Sequence, residues 1–554
     1  MVSQSHSRII KKFVTLILAL SPLLTVAQSA LPQQNSDISI GPNFRIFPSN
    51  VTQTETFIVR HPTDPNILFA SANTINLSNG FISEGIYVST DGGESWFGSD
   101  TCTGPPITFH RGDPGIAIDK DGRFILIRLG DFPRGLFSHF STDLGQTWSA
   151  QKTVATNDQE RASLASDAIP SSNFYGRSYA VWVRFSLPFP VLFAYTDDGA
   201  ANWSTPAQLN NPVQRCQGGE IAIGPGGSVN VCWAAVIGAS PFTEDFAGFA
   251  SSSDGGATWN VTENAFDMNG IAGIFPEKAS IRVNGLPRLD VDKSGGPRNG
   301  WIYIATTERN LAPAGGDPDI ILHRSTNGGQ SWSPGIRVNQ DALNNGKFQY
   351  FPAVHVDDNG GLNIIYYDDR NTTSDSAGVF LSRSTDGGDT WNDYQISDHH
   401  FKPAPIGGLG QGYQGDNIGL TSVGNILRPV WMDNSSGIYQ IWTCRIDLSS
   451  VPIDPLEAVF PGDFDLKQNY PNPFNPSTTI EYNLLKNGFV NLKIFDIYGR
   501  LITALVNEPQ VAGSYKITFE RNQIPTARDL PSGIYFYRLS LSGASLTKPM
   551  VLLK

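Results

Sequence analysis

One eight-residue phrase recurs along the chain and limits the possible folds more than any other feature. Its clearest copies read "STDGGESW", "STDLGQTW" and "STDGGDTW". The six copies end at Trp96, Trp148, Trp203, Trp259, Trp332 and Trp391. Successive tryptophans lie 52 to 73 residues apart. This period is too long for a helical solenoid and is typical of one four-stranded propeller blade, so the phrase predicts an all-β propeller.

Short apolar strands surround each copy of the phrase. Pairs such as "GIAIDKDG" and "FILIRLG" read as two strands joined by a turn, and seven such pairs occur against six copies of the phrase. The seventh pair continues through "YQIWTCRI" without a copy. We expect "NFRIF" at 43–47 to supply the missing outer strand and close the ring. The pattern predicts seven blades over 41–446, with six blades as the alternative.

The composition of the phrase indicates a structural role. Glycine adopts positive φ at no steric cost, and the Asp carboxylate and Ser or Thr hydroxyl can bond to backbone groups of the same turn. Tryptophan buries a large apolar area. We therefore predict that the phrase packs blades and binds no ligand or metal. The predicted structural residues are Asp91, Trp96, Asp143, Trp148, Trp203, Asp254, Trp259, Trp332, Asp386 and Trp391.

On these residues and this spacing, the repeats resemble the Asp-box, or bacterial neuraminidase (BNR), repeats of the sialidase superfamily. The resemblance implies an Asp-box β-propeller with the box on the face opposite the active site. It does not by itself imply sialidase activity, because many Asp-box propellers are not sialidases.

The N-terminus predicts export. Arg8, Lys11 and Lys12 precede the apolar run "FVTLILALSPLLTV", and small residues follow. This pattern favours a signal peptide over 1–27, cleaved after Ala27; a short membrane anchor is the alternative. We expect no membrane span in the mature chain.

The C-terminus changes in composition. A proline-rich linker is predicted over 447–466, followed at 467–554 by short alternating strands that predict an Ig-like β-sandwich. The pieces "YPNPFNP", "KIFDIYGR" and "KPMVLLK" resemble the C-terminal sorting domain (Por) of type IX secretion cargo. The resemblance implies that the type IX secretion machinery is a partner, and that the protein is secreted or held at the outer-membrane surface. An ordinary Ig-like accessory domain is the alternative.

Charge and motifs exclude several functions. The net charge of −12 leaves no electrostatic footprint for nucleic acid or an anionic membrane. The stretch "DVDKSGG" begins like a calcium loop, but its twelfth position is Trp301, where a bidentate Glu is needed. We predict no metal and no cofactor. The four cysteines lack zinc spacing; they form disulfides or remain buried thiols.

Loops that enter the innermost strands should converge at the propeller mouth. The predicted ligand-binding residues in these loops are Arg111, Asp113, Arg161, Glu220, Arg288, Tyr350 and Asp416. We expect the three arginines to form a positive focus that holds a carboxylate. The alternative is that each arginine pairs with a neighbouring acid and only ties blades together.

Two functions stay open. The resemblance implies a glycoside hydrolase with an arginine clamp, a Tyr–Glu nucleophile and an Asp acid/base, but the Phe/Tyr-Arg-Ile-Pro motif of the family is interrupted by Phe47 within 44–48. The sequence thus favours a non-catalytic propeller that binds a glycan or a surface protein. The alternative is an exo-sialidase-like hydrolase.

Overall fold

The computed structural model divides the chain into two compact units, residues 37–451 and a unit that contains 452–554. The described residues are 38–102, 110–373, 375–449, 464–497, 500–521, 530–541 and 544–553. The predicted signal peptide at 1–27 and most of the predicted linker, 450–463, lie outside the described residues. The described residues contain no helix that is long and apolar enough to cross a membrane.

The larger unit is built almost entirely of antiparallel strands. The first twenty are β1 (Ser39–Ile40), β2 (Phe44–Arg45), β3 (Thr52–Arg60), β4 (Leu68–Asn76), β5 (Phe81–Ser89), β6 (Phe97–Ser99), β7 (Gly115–Ile118), β8 (Phe124–Asp131), β9 (Arg134–Ser141), β10 (Lys152–Thr156), β11 (Ser163–Ser166), β12 (Ser178–Val183), β13 (Val191–Thr196), β14 (Ala207–Gln208), β15 (Arg215–Ile223), β16 (Val229–Val236), β17 (Glu244–Ser252), β18 (Asn260–Asp267), β19 (Gly273–Phe275) and β20 (Ile281–Val283). The others are β21 (Arg288–Val291), β22 (Ile302–Glu308), β23 (Asp319–Ser325), β24 (Ile336–Arg337), β25 (Gln349–Val356), β26 (Leu362–Asp368), β27 (Gly378–Ser384), β28 (Asn392–Gln395), β29 (Gly419–Val423), β30 (Ile426–Asp433), β31 (Gln440–Thr443) and β32 (Ile446–Asp447). Two short 3-10 turns occupy Pro225–Gly227 and Pro276–Lys278.

These strands form repeated four-stranded sheets. Six sheets run in simple order, namely β3–β6, β7–β10, β11–β14, β15–β18, β21–β24 and β25–β28. A seventh sheet contains β29, β30 and β31, and takes β2 as its outer strand through the pairing of Phe44 with Thr443. The strand expected at 43–47 thus joins the last sheet. Strand β1 also joins this sheet, by pairing with β32, although it lies before residue 41, where the sequence analysis placed the start of the propeller. Strands β19 and β20 form a separate pair.

The sheets are arranged in a ring. The first strands of consecutive sheets, β3, β7, β11, β15, β21, β25 and β29, are neighbours in that order, and β29 returns to contact β3. The second strands are the most buried, since every residue of β16 is buried, which explains their continuous apolar runs. The architecture is a β-propeller. The described residues contain seven such sheets, which favours the predicted seven blades over the alternative of six.

Each copy of the repeated phrase forms the turn between the third and fourth strands of a sheet; we call it the repeat turn. In the first copy, Ser89 Oγ donates to Asp91 Oδ1 at 2.8 Å, and Gly93 N donates to Ser89 Oγ at 2.7 Å. Ser95 N donates to the same Asp91 oxygen at 2.9 Å. Equivalent bonds form in the other five copies. In the two copies that depart most from the phrase, Asp198 and Asn327 occupy the position of Asp91.

The second unit is a β-sandwich. Its strands are β33 (Phe464–Leu466), β34 (Ser477–Leu484), β35 (Gly488–Phe495), β36 (Leu501–Gln510), β37 (Gly513–Glu520), β38 (Gly533–Leu541) and β39 (Ala544–Leu552). One sheet has the order β33-β34-β37 and the other β36-β35-β38-β39, and apolar side chains of both sheets share one core. Phe464 and Leu466, which the sequence analysis placed in the linker, are buried in this core.

All four cysteines, Cys102, Cys216, Cys232 and Cys444, are buried and unpaired. The structure therefore corresponds to the buried-thiol alternative rather than to disulfides.

Candidate functional site

A cavity of about 800 Å³ opens at the end of the ring where the first strands begin; we call it the mouth cavity. Its charged and aromatic lining consists of Glu55, Asp113, Glu160, Arg161, Phe185, Arg215, Phe242, Glu244, Arg282, Arg288, Tyr413 and Asp416. Successive strands of a sheet are antiparallel, so the third strand runs in the same direction as the first, away from the mouth cavity. The repeat turns follow the third strands and therefore lie at the opposite end of the sheets. The mouth cavity and the repeat turns are therefore separate.

Four of the seven predicted ligand-binding residues line the mouth cavity, namely Asp113, Arg161, Arg288 and Asp416. Glu220 does not line it, but accepts hydrogen bonds from Arg161 and Arg288, which do. Arg111 does not line it: its side chain is half exposed, 3.9 Å from Asp131.

The prediction that Tyr350 faces the mouth is wrong. Its side chain is fully buried and packs against Phe351 and Tyr367, at ring-centroid distances of 5.1 and 5.3 Å. An irregularity in the pairing of β25 with β26 follows Tyr350, so simple strand alternation does not predict the direction of this side chain. Tyr350 belongs to the packing between blades.

The floor of the mouth cavity is an ion-pair cluster from three blades, formed by Arg161, Ser163, Glu220 and Arg288; we call it the floor cluster. Arg161 Nη2 and Arg288 Nη1 both donate to Glu220 Oε1, at 2.5 and 2.9 Å, and Ser163 Oγ donates to Oε2 at 2.7 Å. Burial raises the pKa of Glu220, but the two guanidinium groups and Ser163 outweigh it and hold the pKa below its ordinary value. Glu220 is therefore ionised.

The floor cluster overturns the expected positive focus. Arg161 and Arg288 are neutralised in part by Glu220, and Arg111 lies beside Asp131 and does not line the cavity, so three free arginines do not meet there. The alternative, in which each arginine pairs with a neighbouring acid, holds for Arg161 and Arg288, and their shared partner is Glu220. Arg161 also lines a second cavity of about 550 Å³ along the first strands. The floor cluster thus lies between the mouth cavity and this inner channel.

Above the floor cluster, five carboxylates line the mouth cavity: Glu55, Asp113, Glu160, Glu244 and Asp416. Side-chain amides hold three of them. Asn73 Nδ2 donates to Asp113 Oδ1 at 3.1 Å, and Asn284 Nδ2 donates to Asp416 Oδ2 at 2.5 Å. Asn417 Nδ2 bonds to both Asp416 and Glu55, at 2.9 and 3.3 Å. These amides keep like-charged groups close together.

The crowding of carboxylates shifts their protonation. Burial first, and then Asp416 and Asp113, raise the pKa of Glu55 well above its ordinary value. Burial, with repulsion from Asp113 and Asp416, raises the pKa of Glu160 to about 7. Burial also raises the pKa of Asp113. The mouth cavity thus combines carboxyl groups that hold protons with the ionised Glu220 beneath them.

Two of these carboxylates stand on strained backbone. Glu55 and Asp113 have φ of 54° and 56°, in the left-handed region that non-glycine residues rarely adopt. Such conformations persist only where the surrounding structure enforces them, and they cluster at functional sites. The strain adds to the case for the mouth cavity as the site.

Several lining residues were absent from the sequence-based set. Arg282 and Asn284 lie in the segment with strands β19 and β20, between the fourth and fifth regular sheets. The 73-residue gap between Trp259 and Trp332 was the sequence signal for this insertion. Phe185 and Phe242 lie in loops that follow second strands, and no feature of the sequence indicated that they line the cavity.

The solved structures that resemble this chain share little sequence with it. A protein of unknown function from Dyadobacter fermentans is 13% identical, with a TM-score of 0.44, over 74% of this chain and 99% of that one. An ulvan lyase of a polysaccharide lyase family is 13% identical, with a TM-score of 0.49, over 72% and 95%. The NanB sialidase from Streptococcus pneumoniae is 11% identical, with a TM-score of 0.38, over 64% and 71%. No curated protein matches the chain.

The second unit matches a known family model. Residues 468–553 match the secretion system C-terminal sorting domain. This match confirms the sorting-domain prediction. The domain directs export, so the protein is a cell-surface or secreted protein, handled by the secretion machinery that reads such tails.

Proposed function

We propose that the protein is an exported propeller that binds a glycan in the mouth cavity without cleaving it. The observation that carries the proposal is the group of carboxylates and amides, Asp113, Glu160, Asp416 and Asn417, converging on one concave space. Carboxylate and amide oxygens accept hydrogen bonds from sugar hydroxyls. The volume of about 800 Å³ falls in the range of ligand sites and accommodates a short saccharide.

The floor cluster argues against the exo-sialidase-like alternative. A clamp on a sialic acid carboxylate needs arginines that are free to donate paired hydrogen bonds. Arg161 and Arg288 already donate to Glu220, and Arg288 Nη2 also donates to Asn417 Oδ1 at 2.6 Å. Tyr350, the one tyrosine among the predicted ligand-binding residues, is buried in the core and is not available as a nucleophile in the mouth cavity.

One observation favours a second candidate, a glycoside hydrolase of another kind. Glycoside hydrolysis commonly uses one protonated and one ionised carboxyl group, with pKa values pushed apart by their surroundings. Glu160, with its pKa raised to about 7, is suited to the acid role. Asp113 and Asp416 stand near it, as their repulsion of Glu160 indicates.

A glycan array probed with the purified full-length chain tests the proposal, and each hit is then incubated with the protein to detect cleavage. We expect Asp416→Asn to weaken binding of the hits tenfold or more. The control is Asp121→Asn, which changes an exposed carboxylate that pairs with Lys120 in a turn after β7. An array without hits, or equal affinities for the two variants, would contradict glycan binding at the mouth. Cleavage of a hit that stops in Glu160→Gln would replace binding by hydrolysis.

A further inference from the structure

Arg215, the first residue of β15, is held by aromatic rings at the edge of the mouth cavity. Its Cζ lies 4.6 Å from the ring centroids of Phe185 and Phe189, and 4.5 Å from that of Phe242. Cation–π contacts of this kind favour the charged form and restrict the guanidinium to one place. Arg215, Phe185 and Phe242 all line the mouth cavity.

Arg215 differs from the other arginines of the mouth cavity in its lack of an acceptor. Arg161 and Arg288 donate to Glu220, and Arg282 Nη1 donates to Gln411 Oε1 at 3.5 Å. Within the part of the chain that the structure describes, the Arg215 guanidinium has no hydrogen-bond acceptor or ion-pair partner, and its Nε is buried without one. A partly desolvated cation without an acceptor is costly to keep in a fold, so a ligand group that supplies the acceptor is strongly favoured.

The geometry points to Arg215 as an anion subsite of the mouth cavity, which binds the carboxylate or sulfate group of an acidic saccharide. This inference rests on the proposed function and names the ligand class of the same site. A planar guanidinium binds carboxylate and sulfate oxygens through paired hydrogen bonds, more specifically than a lysine does. Phe185, which is 38% exposed, offers an apolar surface beside the charge for the face of a sugar ring.

The surrounding charges determine the orientation of the saccharide in the cavity. Asp113 and Asp416 line the same cavity, where their oxygens accept hydrogen bonds from hydroxyl groups and the carboxylate of Asp416 repels an anion. Glu160 is the carboxylate whose charge Arg215 experiences, and burial raises its pKa to about 7. The acidic group of the saccharide therefore lies at Arg215, and its hydroxyl groups lie toward the axis.

Matched pairs of oligosaccharides test the subsite in the full-length chain. One pair differs only in a uronate against a neutral hexose, and another only in the presence of a sulfate ester. We expect the acidic member of at least one pair to bind at least tenfold more tightly, and Arg215→Gln to remove this preference while binding of the neutral member stays unchanged. The pair that responds distinguishes carboxylate from sulfate.

Arg111→Gln is the matched control, because Arg111 is half exposed and does not line the cavity. Arg215→Lys keeps the charge but not the paired geometry, and should recover only part of the preference. Equal binding of both members of each pair, or equal weakening of both by Arg215→Gln, overturns the subsite.

Titration with simple anions distinguishes a failure of the proposed anion subsite from a failure of the proposed glycan binding. If no oligosaccharide binds, glucuronate and inorganic sulfate are titrated while the melting temperature is followed. A stabilisation by either anion that disappears in Arg215→Gln supports the subsite although the glycan proposal has failed. Absence of any such stabilisation overturns the subsite as well.

Discussion

Arg161 and Arg288, from two different blades, donate hydrogen bonds to the same oxygen of Glu220. The three side chains are only 10%, 10% and 14% exposed, so their charges compensate one another in a poorly solvated place. These arginines therefore support the centre of the propeller in addition to lining the mouth cavity.

Replacing both arginines should destabilise the propeller. In the Arg161→Met, Arg288→Met double variant, Glu220 keeps a poorly solvated carboxylate without its partners, and we expect a loss of about 3 kcal/mol in unfolding free energy. Adding Glu220→Gln should recover much of the loss. Denaturant unfolding followed by tryptophan fluorescence measures this in the propeller alone, because all eleven tryptophans lie at or before Trp442. Unchanged stability of the double variant would show that the cluster contributes little.

The tryptophans of the repeat turns should differ in their contribution to stability. Trp148 is 4% exposed, lies 6.0 Å from the ring of Phe69, and donates from Nε1 to Gly145 O at 3.1 Å. We expect Trp148→Ala to cost about 3–5 kcal/mol of unfolding free energy. Trp96 is only partly buried, so Trp96→Ala should cost less. The same unfolding assay compares the two, and a larger loss for Trp96→Ala would contradict the burial argument.

The acidic position of a repeat turn should tolerate asparagine better than alanine. Asp386 accepts from Ser384 Oγ at 2.7 Å and from Thr390 N at 3.0 Å, and Asn327 makes equivalent bonds in its own copy. We expect Asp386→Ala to cost about 1–2 kcal/mol at neutral pH, and Asp386→Asn less. Equal losses in the two variants would indicate that the side-chain bonds do not hold the turn.

The same turn predicts a loss of stability in acid. Burial opposes the shift, but bonds from Thr390 and Ser384 lower the pKa of Asp386 below its ordinary value. A lowered pKa in the folded state gives stability that is present above the ordinary pKa, about 4, and is lost as the pH falls below it. In Asp386→Asn the loss of melting temperature between pH 5 and pH 3 should be smaller than in the parent. An unchanged acid profile would exclude a contribution from Asp386.

Glu160 should give the opposite pH dependence. Its pKa is raised to about 7 by burial and by Asp113 and Asp416, while Arg161 lowers it; Arg215 also faces it. Between about pH 4.3 and pH 7 the folded chain holds a proton that the unfolded chain releases, so unfolding free energy rises as the pH falls from 8 toward 5. Glu160→Gln should flatten this rise in part, since Glu55 and Asp113 shift in the same direction. An equally steep rise in the variant would contradict the assignment.

Deleting the sorting domain should stop export without unfolding the propeller. The sandwich has its own core, and among the strands of the described residues none from the sandwich joins a propeller sheet. Without residues 464–554, we expect the propeller to accumulate in the periplasm of its native host with an unchanged fluorescence melting curve. Cell fractionation and immunoblotting measure the distribution. Normal amounts outside the cell would exclude a sorting role.

The propeller was predictable because its signals are local. Each repeat turn closes through bonds between residues two to four positions apart, as between Ser89 and Asp91, so the same letters recur wherever the turn recurs. The alternation of apolar strands and the leftover strand at 43–47 then indicated a closed ring. Residue types at the mouth were also predictable, because loops that enter first strands converge on the axis.

Only the tertiary structure decided which of those residues act together. Glu220 lies 59 and 68 positions from Arg161 and Arg288, and a pairing between three blades leaves no local pattern. Tyr350 turned into the core because of an irregular pairing in β25, and Arg215 met its aromatic rings through loops of separate strands. Short-range hydrogen bonds and strand periodicity are written in neighbouring residues, whereas charge pairing and side-chain direction at the axis depend on how distant blades close into one ring.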